Sequence, residues 1–177
     1  MNPIICVVGP TASGKSALAL SLCQHGQGEV LSCDSMQLYR ELNIGTAKPS
    51  AAEMAGVPHH MIGCIGPSES FSAARYVAMA DPILQDILAR GKRAVVTGGT
   101  GLYVDALIQG RSFAPLPETG KRQLLQQRAA QEGIEPLLQL LQKVDPQAAQ
   151  RLHPRDEKRI IRALEVYLET GKTITQH

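Results

Sequence analysis

Three short apolar runs divide the first part of the chain, and each is followed by residues rich in Gly, Ser, Thr or Asp. The runs cover residues 4–8, 29–33 and 93–97. Continuous apolar runs of this length are typical of strands buried in a parallel sheet. Helices predicted after residue 16, towards residue 90 and from the third run to about residue 108 give the order β-α-β-loop-α-β-α. The pattern therefore predicts an α/β fold with a parallel sheet and right-handed crossovers.

The long segments between these strands have their own signals. Residues 40–70 are rich in Gly, Pro and Ser and predict an ordered loop, with one short helix at 50–55. Ser72 is a candidate cap for a helix that runs to Arg90. Pro82 lies inside that helix, so either Asp81 caps a second helix there or one helix bends at the proline.

The composition changes near Gly110. Residues 111–117 contain two prolines and predict a linker, and the rest of the chain is rich in Gln. Helices are predicted at 118–132, 135–143, 146–151 and 156–170, with Asp156 as the cap of the last. We therefore expect an α/β core at 1–110 and a helical subdomain at 111–177.

A phosphate-binding loop of the pattern G-x-x-x-x-G-K-[ST] follows the first predicted strand. Glycine allows a tight turn, the N–H groups at the start of the next helix attract an anion, and the lysine reaches the outer phosphate. The Ser hydroxyl can bind Mg²⁺ that arrives with the phosphates. The residues of this P-loop are Gly9, Pro10, Thr11, Ala12, Ser13, Gly14, Lys15 and Ser16.

Two further polar stretches follow the other predicted strands. Carboxyl ends of parallel strands share one sheet edge, so we expect Lys15, Asp34 and Thr100 at one cleft. Asp34 is a candidate Mg²⁺ neighbour, general base or helix cap. Thr100 offers a hydroxyl to a ligand or to its own turn, and Gly98-Gly99 permits close approach of the backbone to a ligand.

Composition limits the remaining possibilities. The net charge is +2, with 7 Lys+Arg and 8 Asp+Glu in residues 1–110 (−1) and 11 and 8 in residues 111–177 (+3). The four cysteines lack metal-type spacing, and Cys6 and Cys33 are expected in the core of a cytoplasmic protein. His59-His60 is interpreted as a packed or hydrogen-bonded loop feature. No segment has the length of a membrane span or the pattern of a signal peptide.

Six motifs in this order resemble the bacterial tRNA dimethylallyltransferases, the IPP transferase family, over essentially the whole chain. They are the P-loop, Asp34-Ser35-Met36-Gln37-Leu38-Tyr39, Ile44-Gly45-Thr46-Ala47-Lys48-Pro49, Val57-Pro58-His59-His60, Gly98-Gly99-Thr100-Gly101-Leu102-Tyr103 and Arg159-Ile160-Ile161-Arg162-Ala163-Leu164-Glu165. The resemblance implies a P-loop NTPase-like core with an inserted all-helical subdomain.

The resemblance also implies an activity: transfer of a dimethylallyl group from dimethylallyl diphosphate to N6 of adenosine 37 in tRNA. The P-loop would hold the diphosphate instead of ATP, with Mg²⁺ at Ser16. Asp34 would accept a proton from the amine, and Thr100 would contact the adenosine or the diphosphate. The target base must leave its stack to reach the cleft. We expect a cytoplasmic monomer without a membrane partner.

The resemblance assigns tRNA contacts to both parts of the chain. Asp34, Ser35, Met36, Gln37 and Thr100 would contact the substrate base. A basic cluster lies on the last predicted helix. From the residues alone, it is equally consistent with a solvent-exposed helix face and with a contact to phosphates. The family favours a grip on the anticodon arm by this cluster, which comprises Lys158, Arg159, Ile160, Ile161 and Arg162, with Arg122 as a weaker candidate.

Three other functions stay open: a P-loop kinase of a nucleoside or small metabolite, a non-catalytic tRNA-binding remnant, and an adenylate isopentenyltransferase acting on free nucleotide. The kinase would need mobile arginines for phosphoryl transfer. Family members continue past residue 177 and return to the core, so we expect this chain to be weakly active or inactive. Full turnover by the 177-residue chain would contradict that expectation.

Overall fold

A computed structural model describes residues 3–109 and 119–176. The chain divides into two compact units, Met1–Phe113 and Ala114–His177. The boundary expected after residue 110 and the linker expected at 111–117 lie outside the described residues. Each unit has its own apolar core, so the two are described separately.

The first unit is built on a four-stranded parallel sheet in the order β1-β4-β2-β3. The strands are β1 (Ile5–Val8), β2 (Gly28–Ser32), β3 (His59–His60) and β4 (Arg93–Gly98). The two-residue strand β3 lies in the segment that was predicted to be loop. The third strand predicted from the sequence is therefore β4, and it lies between β1 and β2.

Helices cover both faces of this sheet, as the α/β pattern predicts. The described helices of this unit are α1 (Lys15–Gly26), α2 (Ala51–Met54), α3 (Ala73–Ala89) and α4 (Gly101–Ile108), of which α1 packs on one face and α3 and α4 on the other. Alternate strand residues point to opposite faces. Val30 and Val95 pack with α1 residues, whereas Leu31 and Val96 pack with residues of α3 and α4.

Helix α3 settles the two alternatives at Pro82, because it is one helix that contains the proline. Ser72 caps it by accepting the N–H of Arg75 at 3.2 Å. Ser50 caps α2 in a capping box with Glu53, which supports the short helix predicted there. Asp81 accepts a side-chain bond from Gln85 at 3.3 Å and does not begin a second helix.

Strand β1 differs from its prediction. Its residues alternate between half-buried and exposed, whereas a strand buried on both faces was predicted. Among the described strands β1 lies at one edge of the sheet, with β4 as its neighbour. Cys6 is consequently exposed and not a core residue, whereas Cys33 is buried as expected.

The second unit is helical. It contains α5 (Lys121–Glu132), α6 (Glu135–Val144), α7 (Pro146–Arg151) and α8 (Glu157–Thr170). Its core is formed by apolar residues that recur on one face of each long helix, among them Leu137, Leu141, Ile160 and Leu164. Asp156 caps α8 as predicted, by accepting the N–H of Arg159 at 3.2 Å. No helix in the described part of the chain is long and apolar enough to cross a membrane.

Candidate functional site

The P-loop connects β1 to α1 and closes around one carbonyl. The Ser13 hydroxyl donates to the oxygen of Pro10 at 2.8 Å, and the Lys15 ammonium donates to the same oxygen. Gly14 has φ +81° at the start of α1, a conformation that favours glycine. Ala12 has φ +64°, which is uncommon for a residue with a side chain. The loop therefore holds the side chain of Lys15, the first residue of α1, against its own backbone.

Asp34 begins the turn that follows β2. Its Oδ1 atom accepts the N–H of Met36 at 2.9 Å and the N–H of Gln37 at 3.4 Å. Of the three candidate roles, the role of helix cap is partly fulfilled: the Asp34 carboxylate stabilises a turn, although no helix follows it. Among the described residues, Oδ2 has no hydrogen-bond donor, so one carboxylate oxygen is held and the other is available to a ligand.

Thr100 connects the loop after β4 to the turn after β2. Its hydroxyl accepts the N–H of Ser35 at 3.0 Å and donates to the Ser35 hydroxyl at 3.1 Å. The N–H of Thr100 donates to the oxygen of Cys33 at 3.2 Å. Thr100 precedes α4, yet its side chain makes no capping bond to that helix. The Thr100 hydroxyl therefore bonds the neighbouring turn, whereas the alternative was that it bonds only its own turn.

Gly98 and Gly99 pass between the other two loops. A Cβ at Gly98 would lie 2.5 Å from the backbone carbon of Cys33. A Cβ at Gly99 would lie 4.0 Å from the oxygen of Gly9. At Gly98 the absence of a side chain is required by protein backbone, which is a different reason from the ligand approach predicted from the sequence.

A loop at residues 40–48 extends the Asp34 turn, and the sequence reasoning assigned it no role. The Gln37 amide donates to the oxygens of Thr46 at 3.1 Å and Ala47 at 3.3 Å. The Lys48 ammonium donates to the oxygens of Tyr39 at 2.5 Å and Arg40 at 2.9 Å. The motif that begins at Ile44 contributed to the resemblance, and it is the sequence signal that could have indicated a role for this loop.

A buried carboxylate forms an ion-pair cluster near the amino-terminal ends of β2 and β4, away from the P-loop and the Asp34 turn. Glu29, 2% exposed at the start of β2, pairs with Arg90 at 2.5 and 2.9 Å, with Lys92 at 2.7 Å and with His60 at 2.7 Å. Hydrogen bonds from Arg90, then those from Lys92 and His60, hold the pKa of Glu29 well below its usual range despite burial. His59 bonds the oxygen of Val57 at 2.8 Å. The histidine pair is therefore a hydrogen-bonded feature, as predicted.

The basic cluster of the second unit divides by burial. Lys158, Arg159 and Arg162 are exposed, as is Arg122. The side chains of Ile160 and Ile161 are buried in the core of this unit. Any ligand contact by this face of α8 must therefore be made by the cationic side chains, and the two isoleucines hold them in place.

Comparison with known proteins identifies the family. The family model described as IPP transferase matches residues 37–177, and a second, described as Isopentenyl transferase, matches residues 2–62. The chain belongs to the IPP transferase family. The family and the fold class expected from the motifs are therefore confirmed, and the helical unit accompanies the P-loop NTPase-like core.

Individual relatives of this IPP transferase chain carry consistent names. It is 50% identical over 172 residues to tRNA dimethylallyltransferase 1 of Citrifermentans bemidjiense, covering 97% of the chain and 55% of that protein. The Myxococcus xanthus tRNA dimethylallyltransferase is 49% identical over 96% of the chain and 56% of its own length. The chain thus spans about half the length of the curated relatives it matches.

Two solved structures resemble this member of the family. The Bacillus halodurans tRNA isopentenylpyrophosphate transferase is 42% identical with a TM-score of 0.64, and the match covers 97% of this chain and 57% of that one. A eukaryotic dimethylallyltransferase, solved in snapshots of its action on tRNA, is 33% identical with a TM-score of 0.85. That match covers 98% of this chain and 43% of the other.

Proposed function

We propose that the protein transfers a dimethylallyl group from dimethylallyl diphosphate to N6 of adenosine 37 in tRNA and releases diphosphate. The names of its relatives support both the transferred group and the acceptor. The P-loop is the proposed diphosphate site, and Asp34 and Thr100 are the residues proposed to meet the adenosine.

The observation that carries this proposal is the strand order at the carboxyl edge of the sheet. Because β4 lies between β1 and β2, the Thr100 loop lies between the P-loop and the Asp34 turn. The Thr100–Ser35 bonds then hold the acceptor side of the site to the middle loop. The P-loop, which is the proposed anion site, and a carboxylate with one available oxygen therefore lie at the same edge, which supports a group transfer from a diphosphate to an amine.

The reaction needs one bond formed and one broken. The N6 nitrogen attacks the allylic carbon while the bond from that carbon to the diphosphate oxygen breaks, and the electron pair leaves with the diphosphate. The amine loses one proton, which the Oδ2 atom of Asp34 accepts. The Oδ1 bonds to Met36 and Gln37 orient the carboxylate, while Lys15 and the P-loop N–H groups stabilise the charge on the leaving group.

Mg²⁺ fits the donors at the start of α1. This ion usually takes one or two protein oxygens and fills its other positions with phosphate oxygens and water. The Ser16 hydroxyl is exposed at the P-loop and has no bond to another described residue, so it can serve as such a ligand. When bound, the ion would neutralise charge on the diphosphate.

The second unit supplies a surface suited to nucleic acid. Lys158, Arg159 and Arg162 present positive charge on one helix, and the unit carries the basic excess of the chain. Contacts to phosphates provide much of the affinity of such interfaces. We propose that this surface grips the anticodon arm, that the protein acts as a monomer and that it works in the cytoplasm, where the free thiols stay reduced.

The proposal is tested by incubating the chain with Mg²⁺, labelled dimethylallyl diphosphate and either tRNA or AMP. Label is expected in tRNA with release of diphosphate, at a low rate in keeping with the weak activity expected of this chain. Label that enters AMP alone would assign a free-nucleotide transferase, and ATP consumption without transfer would assign a kinase. Transfer to neither acceptor, with retained tRNA binding even after the missing segment is restored, would favour a non-catalytic tRNA-binding protein.

Asp34→Asn tests whether the Asp34 carboxylate is the proton acceptor. The Asn oxygen can still accept the N–H of Met36, so the turn is kept while the basic carboxylate is lost. We expect transfer to fall by about 10²–10⁴-fold with tRNA affinity unchanged. Transfer at the normal rate would exclude Asp34 as the proton acceptor.

A further inference from the structure

An open surface cavity next to the Asp34 turn is lined by the most exposed large apolar side chain among the described residues. The cavity has a volume of about 460 Å³ and is lined by Met36 and residues 41–46. Ile44 is 98% exposed, Met36 is 49% exposed and Leu42 is 37% exposed. A single exposed apolar residue is ordinary, but three that share one cavity form a patch suited to a ligand.

The loop that carries this patch is held in place by polar bonds. The Thr46 hydroxyl donates to the oxygen of Leu42 at 2.6 Å, and the Lys48 ammonium donates to Oδ1 of Asn43 at 2.9 Å. The Gln37 amide bonds the backbone at Thr46 and Ala47. Ile44 is therefore presented on a fixed backbone, so a contact with it costs little conformational entropy.

The chemistry of the cavity favours a base over a phosphate. Glu41 is the charged residue that lines it, and its carboxylate repels a phosphate but can accept a bond from a base amino group. Of the nearby cations, Lys48 is engaged by backbone oxygens and by Asn43, and Arg40 donates to the oxygen of Cys64 at 3.3 Å. Apolar side chains beside one acceptor suit the face and the amino edge of an unstacked nucleobase.

We propose that this cavity binds the nucleobase next to the target adenosine and that Ile44 packs against that base. The proposal rests on the proposed function. It is supported by continuity, since Met36 lines the cavity while its N–H is held by Asp34 at 2.9 Å. A base that leaves its stack exposes its neighbour, and an apolar side chain can take the place of the lost stacking partner.

The test measures binding of a synthetic anticodon stem-loop RNA to the chain at several salt concentrations. Ile44→Ala is expected to weaken binding about five- to tenfold, as the loss of partly buried apolar contact predicts. The slope of affinity against salt stays unchanged, because no phosphate contact is lost. Lys158→Ala is the comparison, with a slope lower by about 0.7–0.9. Ile4→Ala is the matched control, an exposed isoleucine at the amino-terminal edge of the sheet, and should bind within about twofold of the unaltered chain.

A second RNA distinguishes a base contact from a general loss. With an abasic nucleotide beside the target adenosine, Ile44→Ala and the unaltered chain should bind equally, because the shared contact is already absent. Ile44→Phe should keep or increase affinity for the intact RNA.

Three results would overturn the inference. If Ile44→Ala binds as tightly as the unaltered chain while Lys158→Ala binds weakly, the cavity is not a base-binding site and the proposed function is unaffected. A changed salt slope in Ile44→Ala would indicate a phosphate contact instead of a base. No RNA binding by the unaltered chain would reject both this inference and the tRNA part of the proposed function.

Discussion

The hydroxyl of Thr100 holds both the N–H and the hydroxyl of Ser35, at 3.0 and 3.1 Å. The two residues are 65 positions apart in the chain. Ser35 follows Asp34 directly, so these bonds set the position of the turn that orients the carboxylate. Together with the bond from the Thr100 N–H to the oxygen of Cys33, this hydroxyl fixes the Asp34 turn against the loop after β4.

Removing that hydroxyl tests the connection. Thr100→Val keeps the shape of the side chain but leaves the half-buried Ser35 N–H without its partner, which should lower the free energy of unfolding by about 1–3 kcal/mol. Dimethylallyl transfer should fall at least about tenfold, since the Asp34 turn loses its support. Steady-state kinetics and urea unfolding measure the two effects.

Thr100→Ser is the control for this variant. It keeps the oxygen and should retain most of the transfer activity. If Thr100→Val transferred the group as fast as the unaltered chain, the hydroxyl would have no part in the site.

Gly98→Ala tests the close packing of the loops. The added Cβ would lie 2.5 Å from backbone carbon and 2.7 Å from backbone oxygen of Cys33, atoms that cannot move independently of the sheet. We expect a loss of about 1–3 kcal/mol in the free energy of unfolding. Gly101→Ala is the matched control, because nothing lies within 4 Å of its Cβ position, and its stability should be equal or slightly higher. Equal stability of both variants would contradict this packing.

The Glu29 ion-pair cluster predicts a dependence of stability on acidity. The pKa of Glu29 is lower in the folded protein than its ordinary value of 4.5, so the unfolded chain binds this proton more readily. The contribution of Glu29 is therefore complete above about pH 5 and declines as the pH falls below 4.5 towards the folded-state pKa. Thermal unfolding of Glu29→Gln and the unaltered chain between neutral and acid pH measures it.

Glu29→Gln should cost about 1–3 kcal/mol at neutral pH. The cost stays below the 3–5 kcal/mol of a fully buried pair because Arg90 and Lys92 are 38% and 40% exposed, so their charges still reach water. The difference from the unaltered chain should narrow in acid. Asp86→Asn, which alters an exposed partner of Arg90, should change stability by less than about 1 kcal/mol. A difference independent of pH would show that the carboxylate charge is unimportant.

Ion pairs within α8 predict an order of effects on RNA binding. Lys158 has no ion-pair partner among the described residues, Arg159 lies 3.3 Å from Asp156, and Arg162 lies 2.8 Å from Glu165. Alanine at Lys158 or Arg159 should therefore weaken binding and lower the salt slope more than alanine at Arg162 does. Binding of anticodon stem-loop RNA as a function of salt gives the order. A reversed order would mean that Arg162 leaves Glu165 for the RNA.

Most of the fold was readable because local signals and tertiary structure agree. The caps at Ser72 and Asp156 mark helices that form as predicted, since a side-chain oxygen satisfies a free N–H in each. Strand β3 was missed because two histidines carry no periodicity, and only pairing with Val30 and Leu31 makes them a strand. The exposure of β1 was also missed, because an apolar run does not specify its place in the sheet.

The sequence predicts which residues lie at the site but not the contacts between them. Strand ends predict that Lys15, Asp34 and Thr100 share an edge, whereas the Thr100–Ser35 bonds depend on three-dimensional register. The packing of Gly98 against the Cys33 backbone was not predicted from the sequence, because it depends on the register between the two loops. The burial of Ile160 and Ile161 beside exposed basic neighbours agrees with the apolar face that helical periodicity predicts for α8.

The central place of β4 has a consequence for how the protein is made. Strands β1 and β2 bond to β4 and not to each other, and β4 is the last of the described strands to be synthesised. On the ribosome the P-loop and the Asp34 turn emerge first, but no sheet can join them until residues 93–98 have followed. The phosphate side and the acceptor side therefore remain apart in the nascent chain, and both become organised in the step that completes the sheet.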